Sequence, residues 1–158
     1  MRSLCSLALL AACTFDSPKL GVDGAPPDGG GEWTVVETLM VPVRGETVTS
    51  KRVLQQGVGY RLRASGTAYV ALQTLGDAEY YNFNNGSPVD GAVNIDVGLA
   101  VNDSTIDATR TPRWGAYTDT HVYEVDWTGD GAPIVAQFHD GNTANNDGML
   151  TLEILALQ

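Results

Sequence analysis

Alternation of apolar and polar positions sets the character of this chain from Trp33 onward. Tyr60-Arg61-Leu62-Arg63-Ala64 alternates, and so does His121-Val122-Tyr123-Glu124-Val125-Asp126-Trp127, with Tyr123, Val125 and Trp127 on one face. Ile134, Ala136 and Phe138 line one face of the next run. Leu150, Leu152, Ile154 and Ala156 line one face of the last, with Thr151 and Glu153 opposite. Successive side chains of a strand point to opposite sides of the pleat, so a period of two means strands with one buried face. Gly and Asn/Asp clusters separate the runs: Gly45, Gly57, Asn84-Asn85-Gly86, Gly129-Asp130-Gly131 and Asn145-Asn146-Asp147-Gly148. These are turn residues. No window carries a helical apolar stripe of ten residues or more, and no internal repeat stands out. Strands with one polar face must pack their apolar faces together, which predicts an all-β fold, an antiparallel β-sandwich.

The first residues follow another pattern. Met1-Arg2-Ser3 is a short positive start, Leu4 to Ala12 is an almost unbroken apolar run, and small residues lead into Cys13. Nine residues rise only about 13 Å as a helix, against a hydrocarbon core of roughly 30 Å, so the run is too short to span a bilayer. The order is that of a secretory signal, and Leu10-Ala11-Ala12-Cys13 resembles the bacterial lipobox. That resemblance implies cleavage before Cys13 and a diacylglycerol on its thiol. The expected organisation is a signal peptide at 1–12, a tether at 13–31 that includes Gly24-Ala25-Pro26-Pro27-Asp28-Gly29-Gly30-Gly31, and a sandwich domain at 32–158. The protein is then expected to be lipid-anchored in a bacterial cell envelope, or extracellular. Thr14 after Cys13 is not the Asp associated with inner-membrane retention in some bacteria, which favours the outer membrane.

Charge narrows the partners. The chain of 158 residues has a formal net charge of −10, with 13 Asp among its 19 acidic residues. Such a surface repels phosphate backbones and anionic lipid, so nucleic acid is a poor partner and the membrane is reached through the lipid anchor only. Without Cys5 and Cys13 the domain has no cysteine. A disulfide framework and a thiolate metal site are both excluded.

The chemistry concentrates in Asp140-Gly141-Asn142-Thr143-Ala144-Asn145-Asn146-Asp147-Gly148, between two strand runs. Carboxylates, amides and a Thr oxygen crowd into nine residues, and Ca²⁺ takes six to eight hard oxygens at flexible geometry. A polar hairpin loop has the same composition. The order of residues is more telling. Phe138-His139-Asp140, Thr143, then Asn145-Asn146-Asp147-Gly148 before an alternating final strand resembles the end of the calcium-dependent galactophilic (PA-I) lectin family. Upstream, Gly45-Glu46-Thr47-Val48-Thr49-Ser50, Tyr60 to Tyr69 and Gly76-Asp77-Ala78-Glu79-Tyr80 resemble further stretches of that family in the same order. The resemblance implies a galactose-binding-domain-like or jelly-roll-like sandwich with a saccharide ligand held through Ca²⁺. The ion would be bound by Asp140, Asn145, Asn146 and the carbonyls of Thr143 and Tyr69. Tyr80 stands where the family's sugar-contacting His would be, followed by an insertion from Tyr81 to Asp90, so the wall of the site is expected to differ. The loop from Asp140 to Asn145 is also shorter than the family's. Asp77 and Glu79 sit beside that wall and are expected either to contact a ligand hydroxyl or the ion, or to form a solvated turn. Gly141 is expected at the ligand's edge. A homo-oligomer is compatible with all of this.

Other motifs carry less. Asp126-Trp127-Thr128-Gly129-Asp130-Gly131 begins like an EF-hand loop, but position twelve is Gln137 within a strand run, so it reads as a hairpin turn. His121 and His139 sit in no recognisable nucleophile or zinc motif. A paired-carboxylate glycosidase is the third possibility, and nothing in the spacing selects the pair. The expectation is a binding module without catalysis. The alternative is an interaction or structural module of the same fold, with a stabilising Ca²⁺ or none. Trp114 and Trp127 are expected in the core.

Overall fold

The computed structural model describes residues 31–103 and 111–158. The signal, almost all of the tether and Cys13 lie outside the described residues. The remainder is an antiparallel β-sandwich, as the alternation requires. The strands are β1 (Trp33–Pro42), β2 (Thr47–Val53), β3 (Gly59–Ser65), β4 (Ala68–Ala71), β5 (Thr74–Gly76), β6 (Tyr80–Tyr81), β7 (Val89–Asp90), β8 (Gly98–Val101), β9 (Val122–Thr128), β10 (Pro133–His139) and β11 (Met149–Leu157). One helical turn, α1 (Gly91–Asn94), precedes β8. Among the described residues, no helix is long and apolar enough to cross a membrane.

The first sheet runs β1-β11-β3-β9 and the second β2-β10-β8. Register places the apolar positions opposite one another: Leu39 faces Leu152, Leu62 faces both Ile154 and Val125, and Ala64 faces Tyr123. Across the sandwich, Ile134, Ala136 and Phe138 of β10 join Leu99 and Val101 of β8, all essentially without solvent contact. Each such Leu, Ile or Phe contributes about 1.5–3 kcal/mol relative to exposure. Trp114 also lies in this core, its indole N–H donating to Leu99 O at 2.7 Å. Trp127 packs against the core and is only partly buried.

A bulge between Val35 and Glu37 shifts the register of β1. The Glu37 carboxylate accepts from the backbone N–H groups of Lys51 (2.7 Å) and Arg52 (2.9 Å). It thereby bridges the edges of the two sheets along a groove of about 670 Å³, and a side chain satisfies donors that an open edge would expose.

Residues 129–131 form a turn but not a hairpin. β9 pairs only with β3, whereas β10 pairs with β2 and β8, so the chain changes sheets there. The loop from Asp140 to Gly148 likewise crosses from the second sheet to the first. Alternation within a run fixes which face is buried, but carries no information about which sheet the next strand joins. His121, read as the first position of its run, lies just before β9 in the left-handed region (φ 51°).

A small third sheet, β4-β5-β6-β7, closes one end of the sandwich. It is stitched to the 140–148 loop by a bridge in which Tyr69 and Asp147 exchange both backbone hydrogen bonds at 2.9 Å. Gly148 needs its positive φ of 110° here, and a Cβ on it would crowd Ala68 at 3.2 Å.

Candidate functional site

The loop after β10 is shaped by its own polar side chains. Asp140 Oδ1 accepts from Asn142 N at 2.9 Å, an Asx-turn that bends the chain away from the strand. Asn142 caps a short 3₁₀ turn, Thr143–Asn145, and Thr143 O accepts from Asn146 N at 3.3 Å. Asn146 then points inward with 1% of its surface exposed. Its Nδ2 donates to Val43 O (2.8 Å) and to Asp140 Oδ2 (2.9 Å). Its Oδ1 is buried and has no hydrogen-bond partner among the described residues. An unsatisfied buried acceptor costs about 1–3 kcal/mol, and native structures contain few.

Asp140 and Thr143 line a cleft of about 220 Å³ together with Arg44, Gln137 and His139. His139 is buried, its Nδ1 3.4 Å from Asp96 Oδ2. Arg44 reaches across the loop from the end of β1, donating through Nε to Asn146 O at 2.9 Å and pairing with Asp147 at 3.3 Å.

The expected ligand set is therefore brought together in part. Asp140 and Asn146 touch, and Thr143 forms the turn between them. The Tyr69 carbonyl faces Asp147 rather than Asn146, and already accepts one backbone hydrogen bond. Asn145 and Gly141 are exposed on the outer side of the loop. Among the described residues no three His, Cys, Asp or Glu side chains converge, so a cation here would rest on one carboxylate with amide and carbonyl oxygens. That donor set fits a hard cation: Asp140 supplies charge, Asn146 Oδ1 an oxygen that lacks a donor, and each carbonyl has a second lone pair.

Asp77 and Glu79 lie elsewhere and behave differently. Both are fully buried. Asp77 Oδ1 accepts from the backbone N–H of Glu79 (2.9 Å) and Tyr80 (2.7 Å), which forms the β5–β6 turn. Its Oδ2 takes the Tyr123 hydroxyl and His121 Nδ1, each at 2.8 Å. Glu79 receives Arg113 Nε at 2.5 Å and Trp114 N at 3.0 Å, and Arg113 also pairs with Asp90, the N-cap of α1. These carboxylates spend their oxygens on protein donors and form no solvated turn. Burial first, then the hydrogen bond and charge of Asp77, push the Tyr123 hydroxyl far above its ordinary pKa. Tyr80 is half-buried, its hydroxyl donating to Gly115 O at 3.1 Å. Its pKa is raised by burial and then by Asp90 and Glu79.

Sequence reasoning missed Arg44, Val43 O, His121, Tyr123 and Arg113. Their partners lie 23 to 103 residues away along the chain, and neither turn chemistry nor periodicity encodes pairings at that range. Comparisons with protein-family models, curated proteins and solved structures find no match.

Proposed function

We propose that this protein is a lipid-anchored carbohydrate-binding module that takes a saccharide through Ca²⁺ held at the 140–148 loop and performs no covalent chemistry. The single observation that carries the reading is Asn146 Oδ1, a buried oxygen without a donor, on the residue whose Nδ2 binds the cleft-lining Asp140 carboxylate. A hard cation satisfies such an oxygen, and the hydroxyls of a sugar can fill the positions that the loop leaves open. Asp140, Asn146 and the Thr143 carbonyl are the first ligands of this scheme. Asn145 lies on the exposed outer side of the loop and the Tyr69 carbonyl is paired with Asp147 N, so neither belongs to this set. The anchor rests on Leu10-Ala11-Ala12-Cys13, and the acidic surface keeps the domain off anionic lipid and nucleic acid.

A second reading is favoured by Arg44. Its guanidinium already places a positive charge against Asn146 O and Asp147. If that charge suffices for the loop, the domain is an interaction module of the same fold without a cation. A glycan array probed with the full chain separates the two. The lectin reading expects saccharide binding in millimolar Ca²⁺ that EDTA removes and that Asp140→Ala abolishes. Absence of any calcium-dependent binding, at high valency, transfers the protein to the second reading.

A further inference from the structure

Two neighbouring cations of this domain stand without a carboxylate. Among the described residues, Arg44, Arg61, Arg63 and Arg113 each pair with an Asp or Glu. Lys51 and Arg52, side by side on β2, form no ion pair there and are exposed. Glu37 comes close, but gives its carboxylate to their backbone N–H groups. The two cations also sit at a particular place in the topology. β1 hydrogen-bonds only to β11 and β2 only to β10, so each strand has a free edge. The groove of about 670 Å³ lies between those edges, with Val36 to Met40 on one wall and Val48, Thr49, Lys51 and Arg52 on the other. Glu37 covers the edge of β2 at two N–H groups. Among the described residues, no second strand covers the free edge of β1.

We propose that this groove docks an extended acidic peptide of a partner protein, which lays its backbone along the free edge of β1 and sets its carboxylates against Lys51 and Arg52. The inference goes beyond the carbohydrate-binding reading and uses neither the calcium loop nor a sugar. Two observations select the occupant. The first is the edge. A free strand edge presents backbone N–H and C=O groups at the spacing of another strand, a row that an extended peptide matches and a sugar chain does not. From Val36 to Met40 that row runs for roughly 17 Å, the length of a short strand. The second is the charge. Lys51 and Arg52 outweigh Glu37, whose oxygens already serve two backbone amides. In a chain of net charge −10, this wall is a local positive exception, and complementary charge brings an acidic segment to it. The same net charge opposes a second copy of the chain as the occupant. Exposed Met40 on one wall and half-buried Val48 on the other offer apolar contact to the residues between the acidic ones.

The test titrates short capped peptides onto the purified full chain in EDTA, followed by calorimetry and by NMR of the backbone amides. One peptide alternates Glu and Val. A second carries Lys in place of Glu, and a third is the Glu peptide with its backbone nitrogens methylated. An oligogalacturonate, equally acidic but without a peptide backbone, is the glycan arm. The Glu peptide is expected to bind and to shift the amide signals from Val36 to Met40. Its affinity should fall about tenfold in the double variant Lys51→Ala, Arg52→Ala, and should be unchanged in Asp140→Ala. The Lys peptide and the methylated peptide are expected to bind at least tenfold more weakly than the Glu peptide. Both cations are exposed, so the double variant should melt like the wild type, and the peptide variants test the groove without altering the protein at all. No binding of the Glu peptide, equal affinity in the double variant, or equal affinity of the methylated peptide overturns the proposal. So does tighter binding of the oligogalacturonate than of the Glu peptide, which would make the groove a site for acidic glycans.

Discussion

Two acidic turns of this protein look alike on paper and are built for opposite ends. The Asp77–Glu79 turn is sealed: both carboxylates are inaccessible, and their oxygens meet three backbone amides, a phenol, an imidazole and a guanidinium. The Asp140–Gly148 loop is half open, it is bonded both within itself and to Val43, Arg44 and Tyr69, and one of its buried oxygens lacks a donor. Saturation marks architecture. A deficit next to a cleft-lining carboxylate marks a place where something else is expected to bind.

The largest effect separating the two is expected from Asp77→Ala. It leaves two backbone N–H groups, the Tyr123 hydroxyl and the His121 ring without their acceptor, and should cost about 3–5 kcal/mol. Thermal melting should show a fall in Tm of about 10 °C or more. A drop of only a degree or two would mean that the sealed turn is not structural. Tyr123→Phe is the next probe. The folded state holds the Tyr123 proton more tightly than the unfolded chain, whose tyrosine titrates near 10. That contribution is fully present below about pH 10 and is lost as pH rises above it, by about 1.4 kcal/mol per unit. Denaturant midpoints measured from pH 9 to 11 should fall steeply in the wild type and more gently in Tyr123→Phe. In calcium-free buffer, Asp140→Ala should cost only about 1 kcal/mol, the loss of an Asx-turn and one amide contact on a partly exposed loop. The smallest effect concerns Arg44. Arg44→Gln removes a positive charge next to Asn146 O and should tighten calcium binding a few-fold, read by calorimetry, while moving Tm by under 1 kcal/mol equivalent because the Asp147 pair is exposed.

The sandwich was legible because its signal is local. Tyr60, Leu62 and Ala64, or Leu150, Leu152 and Ile154, declare their buried face within five residues, and the structure buries each of them. The order of strands was not legible. β9 and β10 follow one another and join different sheets, and the choice is made by facing surfaces far apart in sequence. The same limit governs the site. The Asp140 turn and the Thr143–Asn145 bend follow from Asx chemistry within a few residues. That Asn146 turns inward while Asn145 stays exposed depends on Val43 O, 103 residues away. Asp77 and Glu79 looked like a ligand-facing pair because an acidic turn and a buried polar hub have the same letters. Only His121, Tyr123 and Arg113, arriving from a distant segment, distinguish them.

The most direct test is the melting temperature of the full chain and of Asp140→Ala, followed while Ca²⁺ is raised from micromolar to millimolar, with EDTA as the reference. A ligand bound by the native state alone stabilises it by mass action, about 2.7 kcal/mol at a hundredfold excess over Kd. The wild type should therefore shift upward with calcium and return in chelator, and Asp140→Ala should not move. Identical melting of the wild type in calcium and in EDTA would contradict the account and leave the 140–148 loop a polar crossover between two sheets.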